Sequence, residues 1–253
     1  MDVHYKEKLL ETELNKYQLL PYLREKVADI PIPFEKTSIE SDIAKDILAQ
    51  LLFYKRTTPD VLVGLLYKRF PNTEVVLSVL DALIEQDYLD YTERHQIVTK
   101  FSLPKEEENK LQTLMYPLPL VVPPLPLKRN SDSGYWYLAR TCLVLRSSYM
   151  KGDINLDHLN RVNSISFRIN KEVLSNRKHT PKKELPTVQD RANWQKFIEQ
   201  QEQVAKFYED TPFYLTHKYD KRGRIYCQGY HISYQGDDFT KALVEFSEGE
   251  TCI

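Results

Sequence analysis

The chain has 253 residues, of which 42% are hydrophobic and 28% charged, and its net charge is −1. This describes a folded globular protein of one large or two to three small domains, and excludes a low-complexity, collagen-like or strongly polyionic chain. No apolar run approaches the roughly 18 residues of a membrane span, and the opening MDVHYKEK is too polar for a secretory signal.

In chain order, Leu9, Leu10, Leu14 and Tyr17 mark a first amphipathic helix that ends near Pro21. Ser41 or Asp42 opens a second through Ile43, Ile47, Leu48, Leu51 and Leu52. Thr58-Pro59-Asp60 starts a helix through Leu62, Leu65 and Leu66, and Asn72 or Thr73 starts another through Val76, Val79, Leu80 and Leu83. Tyr88 to Phe101 reads as a hairpin around Glu93-Arg94-His95-Gln96. Helix, helix, hairpin invites a winged-helix reading. The second helix, VVLSVLDALIEQ, offers no Arg, Lys or Asn to a base edge, so packing is the better reading for it.

Six of the fourteen prolines lie between Leu103 and Leu127, most of them in YPLPLVVPPLPLK. Such a segment is pre-extended polyproline II and marks a boundary, giving an N-terminal helical domain over 1–115 and a proline-rich connector over 116–154. Beyond it, Leu159, Val162, Ile165, Ile169 and Val173 predict one helix from Leu156 to Leu174, and a second is predicted from Val188 to Tyr208. Between them Arg177, Lys178, Lys182 and Lys183 form a basic tip. The reading over 155–209 is an antiparallel helical hairpin whose tip either grips a duplex backbone or stands solvated.

The last segment, 210–253, centres on Asp220-Lys221-Arg222-Gly223-Arg224. Aromatic and β-branched residues flank it, and Asp and Gly at the first and fourth positions suit a type I turn, which predicts a β-hairpin. In an extended segment Arg222 and Arg224 share a face, and two guanidiniums there suit the phosphates of a nucleic-acid strand. Taken alone, the same residues also describe a charged hairpin tip in water. Phe239, Ala242, Leu243 and Phe246 recur at helical spacing, with Asp238 as N-cap and Lys241 in the first turn, where a cation opposes the helix dipole and suggests an anion to bind. Charge is distributed accordingly: Arg146 to Arg224 hold sixteen Lys and Arg against ten Asp and Glu, whereas Met1 to Leu145 hold eighteen against twenty-one. Cys142, Cys227 and Cys252 lie far apart, and the six histidines lack ligand spacing. Neither a disulfide framework nor a metal site is predicted, and a reducing compartment, most simply cytoplasm, is.

These motifs together resemble the single-subunit DNA-dependent RNA polymerases of bacteriophages and mitochondria. Asp220, Gly223 and Arg224 match the family's DxxGR hairpin. Gly236, Asp238, Thr240 and Lys241 match its Gly-Asn-Asp-x-Thr-Lys segment, with Asp237 where Asn is usual. Val121-Val122-Pro123-Pro124 followed by Gly134-Tyr135-Trp136 is similar to a second family island, and Leu159 to Leu174 is similar to its first thumb helix. LDALIEQDYL resembles the corresponding end of the family's N-terminal domain.

The resemblance implies a mainly α fold with a small β component: an N-terminal helical domain, a helical-hairpin thumb, and the first β-hairpin and helix of a polymerase palm. It also implies that Arg224 contacts template-strand phosphates, that Arg222 and Lys241 support it, and that Asp220 and Gly223 shape the turn. Thr240, Lys182 and Lys183 complete the expected nucleic-acid-binding set. No catalytic residue is expected in this chain, since the family's magnesium-binding aspartates and fingers helix lie beyond the hairpin and neither motif occurs here. The sequence therefore looks like the smaller subunit of a split polymerase of the N-four phage type. Expected partners are a second subunit that holds the magnesium, a DNA template, an RNA transcript and a phage accessory factor, in the cytoplasm of an infected bacterium. The competing reading is a stand-alone, winged-helix-like DNA-binding regulator.

Overall fold

The computed structural model describes residues 2–15, 18–138, 143–145, 152–176, 179–181 and 183–249, which are mainly helical with a small β component. They fall into two bodies, one of residues 16–111 and one that joins residues up to 15 with those from 112 onward. The first helix, α1 (Val3–Thr12), is thus part of the C-terminal body and not of an N-terminal domain.

In the body of residues 16–111, α2 (Leu19–Val27) carries Pro21 within its first turn. The expectation that Pro21 ends a helix is corrected: a proline is tolerated there because that N–H has no intrahelical acceptor to lose. Helix α3 (Ile39–Tyr54) begins earlier than predicted, because the Ser38 hydroxyl accepts from the Ser41 N–H at 3.1 Å and caps it. Helix α4 (Pro59–Leu66) follows Thr58. Helix α5 (Thr73–Glu85) is capped by Asn72, whose side chain accepts from the Glu74 and Val75 N–H groups.

Strands β1 (Leu89–Tyr91) and β2 (Ile97–Thr99) form the predicted hairpin, and a bridge between Thr57 and Ile97 extends it. Ile47, Leu51, Leu62, Leu80 and Leu83 fill the core between these helices. Among them Asp46 is buried and receives both Arg24 (2.6 Å) and Arg69 (2.9 Å). The predicted helix, helix, hairpin order is present. The exposed side of α5 carries Glu74, Leu77, Asp81 and Glu85, a surface unsuited to a phosphate backbone. Helix α6 (Lys105–Leu114) then precedes the proline-rich segment.

In the C-terminal body the expected helix from Leu156 to Leu174 is replaced by three elements. Helix α7 (Leu156–Asn163) gives way to strand β3 (Ser166–Ile169) and then to the short α8 (Lys171–Asn176). The predicted thumb-like helical hairpin over 155–209 is corrected to this arrangement followed by α9 (Val188–Phe207). The spacing of Ile165 and Ile169 also fits a strand, and Phe167 and Ile169 point inward while Arg168 points out. Sheet pairing decides between the two. Strand β3 is the centre of an antiparallel sheet with β4 (Phe213–Tyr214) on one side and β7 (Val244–Phe246) on the other.

Strands β5 (His217–Tyr219) and β6 (Ile225–Cys227) form the predicted hairpin around residue 220. Helix α10 (Asp238–Ala242) is only five residues long, and Phe246, predicted on it, lies in β7 instead. Phe167, Tyr208, Phe213, Ile232 and Leu243 build one core, joined by Leu10 of α1 and Val121 of the proline-rich segment.

Candidate nucleic-acid interface

The β5–β6 tip is organised by one carboxylate. Asp220 Oδ1 accepts from the backbone N–H of Arg222 (2.8 Å) and of Arg224 (2.9 Å), while its own N–H donates to the Arg224 carbonyl at 2.8 Å. The Gly223 N–H donates to the Asp220 carbonyl at 3.0 Å, with Gly223 at φ +79°. This is a type I turn closed by a left-handed glycine, the geometry that a hairpin loop of this length uses. Space is open around Gly223, so its backbone angle requires the glycine and no close neighbour does.

The second Asp220 oxygen takes Arg224 through Nε (2.7 Å) and Nη2 (2.6 Å), and Arg222 Nε stands 3.5 Å away. Both arginines thus reach one carboxylate, with the side chains of Arg222 and Arg224 74% and 53% exposed. Desolvation pushes the Asp220 carboxyl up, but the donors of Arg224 and Tyr226 more than offset it and hold the group below the usual carboxylate range. Asp220 in turn holds the Arg224 guanidinium charged. The Arg224 guanidinium also lies over the Tyr226 ring at 5.6 Å, which further fixes its plane.

The following loop leads to α10. A Cβ on Gly236 would lie 2.6 Å from the Thr240 Cβ, so glycine permits the close approach of the loop to the helix. The cap of α10 is Asp237, which accepts from the Thr240 N–H at 2.8 Å, and not Asp238 as predicted. Thr240 itself is corrected as a ligand contact. It is buried, and its hydroxyl accepts from Gln201 Nε2 at 2.8 Å, which also donates to the His231 carbonyl, so Thr240 ties α10 to α9. Lys241 is half exposed beside Asp238 at 3.6 Å and sits in the last turn of a helix this short, so the dipole argument made for it does not apply. Lys183 is exposed between α8 and α9, while Lys182, Arg177 and Lys178 lie outside the described residues.

Sequence reasoning missed two sets of residues, one that braces β5 and the loop after β6 and one that joins α1 to the proline-rich segment and to residues 136–138. In one, His217 on β5 bonds Asn163 of α7 through Nδ1 (2.8 Å) and Tyr234 of the loop through Nε2 (2.7 Å). Burial, with a smaller contribution from His158, pushes His217 down to about 4, which keeps the ring neutral and able to donate to Asn163 while accepting from Tyr234. In the other, Glu7 and Glu11 stand one turn apart on the buried side of α1. Glu7 accepts from the Val121 and Val122 N–H groups (2.5 and 3.3 Å), and Glu11 accepts from those of Trp136, Tyr137 and Leu138 at 2.9, 2.5 and 2.7 Å. Acids at an i, i+4 spacing beside Leu10 and Leu14 were the available signal.

No protein-family model matches the chain. A stretch of 47 residues, 19% of the chain, is 47% identical to part of a probable DNA-directed RNA polymerase of Gelasinospora sp. (strain G114), and it spans 6% of that protein's length. Part of this chain is therefore similar in sequence to part of a probable DNA-directed RNA polymerase.

Proposed function

We propose that this chain is the template-gripping part of a DNA-directed RNA polymerase, with Arg224, backed by Arg222, holding a strand phosphate beside the growing hybrid. The observation that carries this reading is the pair of guanidiniums gathered on Asp220 at a rigid hairpin tip and directed into solvent. A carboxylate engaged on one side leaves the outer N–H groups preorganised for an anion, which is how an arginine recognises phosphate with least loss of side-chain freedom. The similarity to a polymerase segment supports the same reading. Contacts of this kind are independent of sequence and weaken with salt.

Among the described residues no group of three or more His, Cys, Asp or Glu is placed to hold a metal ion. In this reading the ligands of the magnesium that nucleotidyl transfer uses belong to a second, catalytic chain, as in a split phage polymerase that works with an accessory factor. Template strand and transcript are then the remaining partners. The stand-alone regulator gains nothing from the exposed face of α5, which is acidic and apolar.

The test is reconstitution with magnesium, nucleotides and single-stranded template, using the chain together with a candidate catalytic subunit and omitting each in turn. Arg224→Ala is expected to leave assembly intact and lower transcript yield about tenfold, the loss of one charge-assisted phosphate contact. Unchanged runoff synthesis by that variant would falsify the assignment.

A further inference from the structure

We propose that Trp136 and Tyr137, with Lys128 at their edge, form a stacking site for an unpaired base of a single nucleic-acid strand. The inference rests on the polymerase reading and adds a second contact, on a different part of the C-terminal body from the arginine hairpin. Leu125, Lys128, Ser133, Gly134, Trp136 and Tyr137 are among the residues that line an open cavity of about 580 Å³, within the range of small-ligand sites.

The cavity is built rather than incidental. The Leu125 N–H donates to the Gly134 carbonyl at 2.8 Å, and Gly134 takes φ +77° with Pro124 against it, which folds the two segments together. The Glu11 carboxylate then pins three successive N–H groups from Trp136 to Leu138, and Trp136 Nε1 donates to the Pro123 carbonyl at 3.0 Å. His4 meets the Trp136 ring edge to face, with centroids 5.3 Å apart.

With their backbone so fixed, Trp136 and Tyr137 nonetheless leave 39% and 46% of their surface in water. Adjacent, partly exposed aromatics on a fixed backbone are the platform that single-strand binders use, because every base offers a π-face to stack on, and a neighbouring cation such as the exposed Lys128 takes the phosphate. The same chemistry accepts a DNA or an RNA strand.

The chain has two tryptophans, Trp136 and Trp194, so Trp194→Phe leaves Trp136 as the sole indole reporter. Oligothymidylate and oligouridylate of about ten nucleotides are titrated against that protein and against the unsubstituted chain. Quenching of Trp136 emission is expected, and the tighter of the two oligomers identifies the strand. Tyr137→Ala should weaken binding about tenfold, while Trp136→Phe should keep most of it, since a phenyl ring still stacks. Lys128→Ala should flatten the salt dependence. Binding with unaltered Trp136 emission and full affinity in Tyr137→Ala overturns this site and leaves the arginine hairpin standing, whose own variant, Arg224→Ala, must then account for the affinity. Failure of both oligomers to bind the unsubstituted chain overturns this site and counts against the polymerase reading as well.

Discussion

Asp220 does two jobs with two oxygens: one closes the turn through backbone N–H groups, the other orients the guanidiniums of Arg224 and Arg222. Its carboxyl is held below the usual range, so this contribution to stability is present above the ordinary carboxylate value and is lost as the pH falls through the lowered one. Glu7 behaves in the opposite way. Burial, reinforced by Glu11, pushes it from 4.5 up to about 8 despite the N–H groups it receives. Between those values the folded state binds a proton that the unfolded chain has released, so stability falls as the pH rises from 4.5 to 8 and then levels. His217, lowered by burial, titrates in the other sense below about pH 6.5, so a difference measurement is needed. Glu7→Gln, which imitates the protonated acid, should gain on the parent by on the order of 2 kcal/mol or more between pH 5 and 8. Denaturant melts at stepped pH check this, and parallel profiles for the two proteins would remove the argument.

The turn and helix around the site depend on glycines for different reasons, and that gives a test at the scale of the element. At Gly223 only the positive φ is demanding, so Gly223→Ala should cost about 1 kcal/mol and leave the neighbours undisturbed. At Gly236 a methyl group would collide with Thr240, and a Cβ–Cβ distance of 2.6 Å cannot be accommodated without moving α10. Gly236→Ala should therefore cost about 2 kcal/mol, and it should break the Gln201 bond to Thr240. Chemical denaturation of the two variants, with the amide signals of 236–243 followed by NMR, separates the cases. Strand β3 teaches the same lesson in the reverse direction, since Ile165 and Ile169 satisfy a helical spacing and only the partners at β4 and β7 make the segment extended.

At the scale of the whole molecule each body has its own core, and the body of residues 16–111 holds a buried ion pair at Asp46. Asp46→Ala leaves Arg24 and Arg69 without their shared acceptor. Because both arginines are partly in water, the loss should be about 2 kcal/mol, below that of a fully buried pair. Far-UV circular dichroism of thermal unfolding measures it.

What the sequence by itself determined here was local. Asn72 announced α5 and the Asp-to-Gly spacing announced the 220–224 turn, because each depends on a side chain bonding to its own neighbouring backbone. The arginine pair was legible for the same reason. Tertiary structure alone decided that residues 166–169 pair as a strand, that Thr240 faces the core, and that Glu7 and Glu11 reach more than a hundred residues along the chain to Val121 and Trp136. Those outcomes depend on which distant groups supply hydrogen bonds and on which apolar surface excludes water, and neither is encoded in the spacing of nearby residues.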